Sequence, residues 1–299
     1  MKLFMLVLSI FLIAGCVQQY LYVCPDGSTV SNPSYCSRSN EDFANVPLPA
    51  ESIYNASQLE KEIFDLVNEN RANYGLKSLL WNNEIARLAK EKSDDMAENK
   101  YFNHANLDGE VFGDILKKNH IFYLTASENI AMFGNVTSED LATEVVKGWL
   151  ESPAHRVPII DRDEIYTDAG VGARCINNVC YFTMQFLNLE RKLNINLKSG
   201  YGTFVYIYDT ALDFDCNVSV MVEVNSTKAT DTFVVDDSDK FDLFMQGYPI
   251  YSEREFMHNS YVSTTIVARR GYGIILYADP DWVFSDAVVG VKFRYLGSV

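Results

Sequence analysis

The residues able to do chemistry gather in one stretch, 101–186. It contains Tyr101-Phe102-Asn103-His104, then Ser127-Glu128-Asn129-Ile130, then Trp149-Leu150-Glu151-Ser152-Pro153-Ala154-His155-Arg156, and it closes with Gly170-Val171-Gly172. Of the chain's 4 histidines, His104 and His155 belong to these groups, each near an aromatic, turn or acidic residue. Imidazoles and carboxylates this far apart in sequence meet only where a fold brings them together. The product is a polar pocket that is catalytic, metal-binding or structural. His120 and His258 fall outside these groups and are expected to be incidental.

Helices and a hairpin must position these residues. Leu59, Ile63, Leu66, Val67 and Asn70 recur at helical spacing, with Ser57 as N-cap and Tyr74-Gly75 as the stop. A second helix is expected over 83–99, burying Ile85, Leu88, Ala89 and Met96. A third opens at Asp108-Gly109 and runs through Ile115 and Leu116. A fourth, capped by Thr137 or Ser138, places Leu141, Val145, Gly148 and Trp149 on one face. After Asp168 the pattern becomes extended over 169–175 and 180–187, giving helices around an antiparallel sheet. Beyond residue 193, strands are expected at 202–208, 218–224, 232–235, 241–245, 261–268, 274–278 and 288–295, which together suggest a β-sandwich. The fold class is therefore α+β. Asp236-Asp237-Ser238-Asp239 lacks calcium-ligand spacing and is expected to be a solvated turn.

The N-terminus reads as an address. Met1-Lys2 precedes an apolar run, 3–14, and then Gly15-Cys16, a secretory signal in which Ile13-Ala14-Gly15-Cys16 resembles the lipobox of prokaryotic lipoproteins. Residues 1–15 are then the signal peptide, Cys16 carries lipid, and residues 16–52 form a tether. Lasting attachment needs two or more acyl chains. The protein is expected on the outer face of the cytoplasmic membrane. The remaining cysteines suit an oxidising compartment. Cys24 and Cys36 bracket turn-forming residues and are expected to close a small loop. Cys175 and Cys180 bracket Ile176-Asn177-Asn178-Val179 and are expected to staple a hairpin, leaving Cys216 reduced. Four Asn-x-Ser/Thr sequences, at Asn55, Asn135, Asn217 and Asn225, are glycosylation candidates. A formal charge of −15 argues against nucleic acid and against charge-driven binding to anionic membranes. The 299 residues, 48% of them hydrophobic, can supply two cores.

A family pattern runs through the stretch in order. Asn68-x-x-Arg71-x-x-x-Gly75-Leu76-x-x-Leu79-x-Trp81 is followed by Asp95-Met96, Tyr101-Phe102-x-His104 and Asp108-Gly109-x-x-Phe112. Ser127-Glu128-Asn129-Ile130-Ala131, Trp149-x-x-Ser152-Pro153-x-His155-Arg156 and Gly170-Val171-Gly172 complete it. Residues 53–190 thereby resemble the CAP superfamily, which takes in cysteine-rich secretory proteins, antigen 5 and the pathogenesis-related proteins. The likeness is to its prokaryotic SCP-like branch. The resemblance implies an α-β-α sandwich, followed here by the β-rich region 193–299. It also implies a cleft holding two histidines and two acids. By position these are His104, His155 and Glu128. Many eukaryotic members have the second acid three residues after the helix tryptophan, where this chain has Ser152. The nearest carboxylates, Glu151 and Glu144, are displaced from that position by about 100° and about 80° of helical rotation.

Two classes of function follow. In the first, a lipid-anchored surface protein uses the His/Glu cleft to bind a cell-surface or extracellular ligand, or a divalent metal such as zinc, without catalysis. In the second, a metal-dependent extracellular hydrolase acts on peptides, with His104 and His155 as ligands and Glu128 as base. Two His and a Glu with an open position is a catalytic zinc pattern, although no His-Glu-x-x-His fixes it locally. Lipid binding is a third expectation, carried by the resemblance alone.

Overall fold

Asn55 starts the described helices: its side chain accepts from the Gln58 backbone N–H and caps α1 (Ala56–Asn73). The expected cap, Ser57, lies inside the helix instead. The computed structural model describes residues 55–134, 140–176, 178–212, 214, 216–281, 283 and 285–299, with two short paired strands, β1 (Tyr22–Val23) and β2 (Thr29–Val30). The signal peptide, Cys16, the Cys24–Cys36 pairing, the linker and the Thr137/Ser138 cap lie outside the described residues.

Chain order continues with β3 (Leu80–Trp81), α2 (Asn83–Asn99), α3 (Phe112–Lys118), β4 (Thr125–Gly134), α4 (Leu141–Glu151) and α5 (Pro153–Ile159). The hairpin β5 (Asp168–Ile176) and β6 (Val179–Asn188) completes the first half. Its sheet has the order β3-β5-β6-β4, antiparallel except for β3 on β5. Alternation along the hairpin sorts the two faces. Val171, Phe182, Met184 and Phe186 pack with Ile63 and Val67 of α1 and Val145 and Trp149 of α4. Gly170 and Gly172 face α2. A Cβ on Gly170 would lie 2.1 Å from the Ala86 nitrogen, and one on Gly172 would lie 2.2 Å from the Ala89 carbonyl carbon. Only glycine lets the helix backbone come this close. The layers are α-β-α, as expected.

The other opening motifs have local causes. Asn68 clamps Leu79, accepting its N–H and donating to its carbonyl, while buried Arg71 donates to the Lys77 and Ile159 carbonyls. Gly75, with φ at +73°, turns the chain between them. Cys175 and Cys180 form the expected disulfide, with Cα atoms 4.0 Å apart and in register across β5 and β6.

The second half comprises β7 (Glu190–Leu197), β8 (Gly202–Tyr206), β9 (Val218–Val235), α6 (Asp239–Met245), β10 (Arg254–Ala268), β11 (Gly273–Tyr277) and β12 (Ala287–Ser298). β7 follows β6 after Leu189, so the second region begins there rather than at 193. The strands expected at 218–224 and 232–235 are one long strand, β9. Its first half pairs with β12, which carries β7, and its second half pairs with β11, which carries β8. β10 follows its other edge throughout, with register shifts between Phe256 and Tyr261. The two layers suggested by the sequence are therefore halves of one continuous sheet that share a core. The segment 241–245 is helical, not extended. Phe241 and Phe244 recur at a three-residue spacing and pack on Phe233, Val235 and Ile275, a spacing that suits a helix face.

The two regions meet through one core. Ile85 and Leu88 of α2, Phe112 and Leu116 of α3, and Phe122 cluster with Tyr208, Val220 and Tyr295. Beside it, Arg294 makes a two-pronged ion pair with buried Asp168, both bonds at 2.7 Å. Among the described residues no helix is long and apolar enough to cross a membrane.

Candidate functional site

Three consecutive residues of β4 tie the site together, each through a different group. Glu128 is only 6% exposed, and His104 Nδ1 lies 2.9 Å from its Oε1. A carboxylate accepts, so the Nδ1–H donates and Nε2 is left as the free nitrogen of the ring. The other oxygen, Oε2, accepts from Gln185 Nε2 at 2.9 Å, because β6 sets Gln185 directly opposite Glu128. Next along β4, Asn129 donates to the His155 carbonyl at 2.7 Å, docking α5 onto the strand. The Ile130 carbonyl then accepts from the Trp149 indole at 3.1 Å, docking α4. The Ser-Glu-Asn-Ile sequence is thus a joint between the two histidine-bearing segments.

His155 sits one turn into α5, where Pro153 occupies the first turn. Its Nδ1 is 2.8 Å from Ser152 Oγ, again leaving Nε2 free. Burial holds this imidazole below the ordinary histidine pKa, and the nearby His104 ring acts in the same direction. His155 is consequently neutral at pH 7, with a lone pair to offer.

The α2 side supplies residues to which the sequence assigned no role. A cavity of about 180 Å³ opens beside His104 and Glu128, lined also by Lys92, Asp95, Glu110 and Gln185. Burial lowers the Lys92 pKa, opposed by the charges of Glu128 and Asp95. Its ammonium donates to the Tyr101 hydroxyl at 3.1 Å, and that hydroxyl donates to Asp95. Burial, with the Asp95 bond behind it, raises the Tyr101 pKa. Gln185 is 2% exposed, and its Oε1 is buried without a partner. Thr183 and Gln185, two polar residues at strand spacing on the α2 face of an apolar strand, were the available signal.

Of the residues expected at the site, His104 and Glu128 are in contact, and His155 is joined to them through Asn129 and its own proximity to His104. The two candidates for the second acid are elsewhere. Glu144 is exposed on α4, and Glu151 lines a separate cavity of about 370 Å³ with Arg156, Val157 and Arg162. Each oxygen of Glu128 accepts one hydrogen bond, from His104 and from Gln185. Among the described residues, no group of three or more His, Cys, Asp or Glu side chains is gathered closely enough to hold an ion.

Helices on both faces of one sheet, with a histidine–carboxylate joint, are the arrangement that the likeness to the CAP superfamily implies. Residues 64–186 match the model of the cysteine-rich secretory protein family, CAP, so the chain carries a CAP domain over that stretch. Two curated relatives are similar to it, both from Bacillus subtilis (strain 168). The uncharacterized membrane protein YlbC is 37% identical over 128 residues, 43% of this chain and 34% of the relative. The uncharacterized protein YkwD is 37% identical over 132 residues, 44% of this chain and 48% of the relative. The chain thus spans about a third of one relative and about half of the other. Among solved structures, an extracellular protein containing a SCP domain from Bacillus anthracis str. Ames is 31% identical, with a TM-score of 0.38. That match covers 44% of this chain and 41% of the other.

Proposed function

We propose that this is an exported, lipid-anchored protein whose CAP domain binds a ligand through His104 and His155 without catalysing a reaction on it. The observation that carries this reading is the engagement of Glu128. Its side chain is 6% exposed and each oxygen already accepts a hydrogen bond, from His104 and from Gln185, which suits an orienting partner better than a general base. Glu128 stands behind His104 as the partner that orients the ring, an arrangement common behind metal-bound histidines. Two such nitrogens suit a loosely held borderline divalent ion, zinc among them, that takes its other ligands from water or from the bound molecule. They do not supply the three protein ligands of a catalytic zinc site. Export, and anchoring through Cys16, are supported by the apolar leader and the lipobox-like sequence.

Titration calorimetry with Zn²⁺ and peptidase assays on the full chain test this. The expected result is weak Zn²⁺ binding, lost in His104→Ala and in His155→Ala, with no turnover. Chelator-sensitive peptide hydrolysis that disappears in Glu128→Gln would overturn it in favour of a metal-dependent hydrolase.

A further inference from the structure

Ser152 occupies an unusual position for a serine at a helix start. It is the N-cap of α5, where a serine hydroxyl ordinarily accepts from a backbone N–H of the first turn. Ser152 makes no such bond. Its Oγ lies 2.8 Å from His155 Nδ1 instead, three residues along. Pro153 fixes the backbone between them, and the Asn129 amide holds the His155 carbonyl at 2.7 Å. The imidazole is therefore constrained at its backbone by β4 and at its ring by Ser152. The second histidine of the site has a different arrangement: Glu128, a charged group from another strand, holds His104.

We propose that Ser152 is the positioning residue for His155, and that its hydroxyl does without charge what Glu128 does for His104. The inference rests on the reading of the cleft as an imidazole-lined binding site. A carboxylate hydrogen-bonded to Nδ1 would favour the protonated ring. A hydroxyl, which both donates and accepts, orients the ring and leaves it neutral. Ser152 thus takes over the orienting task of a second acid, while Glu144 and Glu151 point to other surroundings. The site has one orienting carboxylate, one orienting hydroxyl and two imidazole rings. That combination favours borderline ions that accept imidazole over magnesium or calcium, which require oxygen ligands.

The test uses the full chain with Zn²⁺ alone as probe, in wild type, Ser152→Ala and Ser152→Thr, together with ¹⁵N NMR of the His155 side chain in the metal-free protein. Loss of an orienting partner typically weakens metal binding about 10–100-fold, and that fall is expected for Ser152→Ala. Ser152→Thr keeps the hydroxyl and should restore wild-type affinity. In the metal-free protein the His155 Nδ1 resonance should move in Ser152→Ala and return in Ser152→Thr. Since no backbone cap bond is lost, the melting temperature should hold. Wild-type Zn²⁺ affinity in Ser152→Ala, or an unmoved His155 resonance, would overturn the proposal. If the wild type itself takes up no Zn²⁺, the metal reading of the cleft fails. The NMR comparison then decides the role of Ser152 alone: a shifted resonance supports it and an unchanged one removes it.

Discussion

Replacing Arg294 by methionine should destabilise both regions of the chain together. The guanidinium donates through two nitrogens to the two oxygens of Asp168, both at 2.7 Å, and the side chains are only 15% and 4% exposed. Without it, Asp168 keeps one side-chain partner, the Thr167 hydroxyl at 2.6 Å. Stranding one charge of a buried pair costs about 3–5 kcal/mol. For a body of this size, each kcal/mol lowers the melting temperature by about 2–4 °C, so Arg294→Met should lower it by roughly 6–20 °C. Removing both charges in Asp168→Leu/Arg294→Met should recover much of the loss, since an apolar replacement of a whole buried pair is often close to neutral. Urea unfolding followed by tryptophan fluorescence and by circular dichroism measures the cost and its recovery, and a thermal melt measures the shift in melting temperature. Because Ile85, Leu88 and Phe122 share a core with Val220 and Tyr295, the two probes should report one transition. A cost below about 1 kcal/mol, additive effects in the double variant, or two resolved transitions would each refute the reasoning.

Two further outcomes follow from the site and the sheet. His155 has its pKa lowered by burial, so below about pH 6.5 the unfolded chain binds the proton that the folded chain resists. Stability should fall as pH drops through 6.5 towards the lowered folded value, and this part of the slope should be absent in His155→Gln. Parallel denaturation curves for the two proteins between pH 7 and 5 would contradict it. Gly172→Ala places a Cβ 2.2 Å from the α2 backbone, an overpacking that should cost about 1–3 kcal/mol or more. Gly148→Ala, open to space within α4, should cost nothing or stabilise the helix.

The α-β-α half was legible in the sequence because each motif is a local device with a fixed spacing. Asn68 and Arg71 share one helix face and secure the turn after it, and Gly170-x-Gly172 records a close helix approach. Helix α2 matched its expected bounds because Asn82 caps it and apolar residues keep the helical period. What could not be read was anything that depends on a partner distant in sequence. Glu128 reads as a base or a ligand until β6 places Gln185 opposite it. β4 itself was hidden, since Ser127, Glu128 and Asn129 interrupt the apolar alternation of a strand for the sake of the site. In the second half, a strand of 18 residues whose middle, 225–231, is polar apart from Ala229 was split in two. The short segment 241–245 was too brief for its period to distinguish a helix from a strand.

In the proposed site two imidazoles bind and Glu128 orients. Anomalous diffraction from crystals of the protein soaked in Zn²⁺ tests it most directly. One peak is expected at about 2.0–2.1 Å from Nε2 of His104 and from Nε2 of His155, with the Glu128 oxygens still on His104 and Gln185 and beyond ligand distance. A peak ligated by Glu128, or Zn²⁺ bound elsewhere with neither histidine in contact, would contradict it.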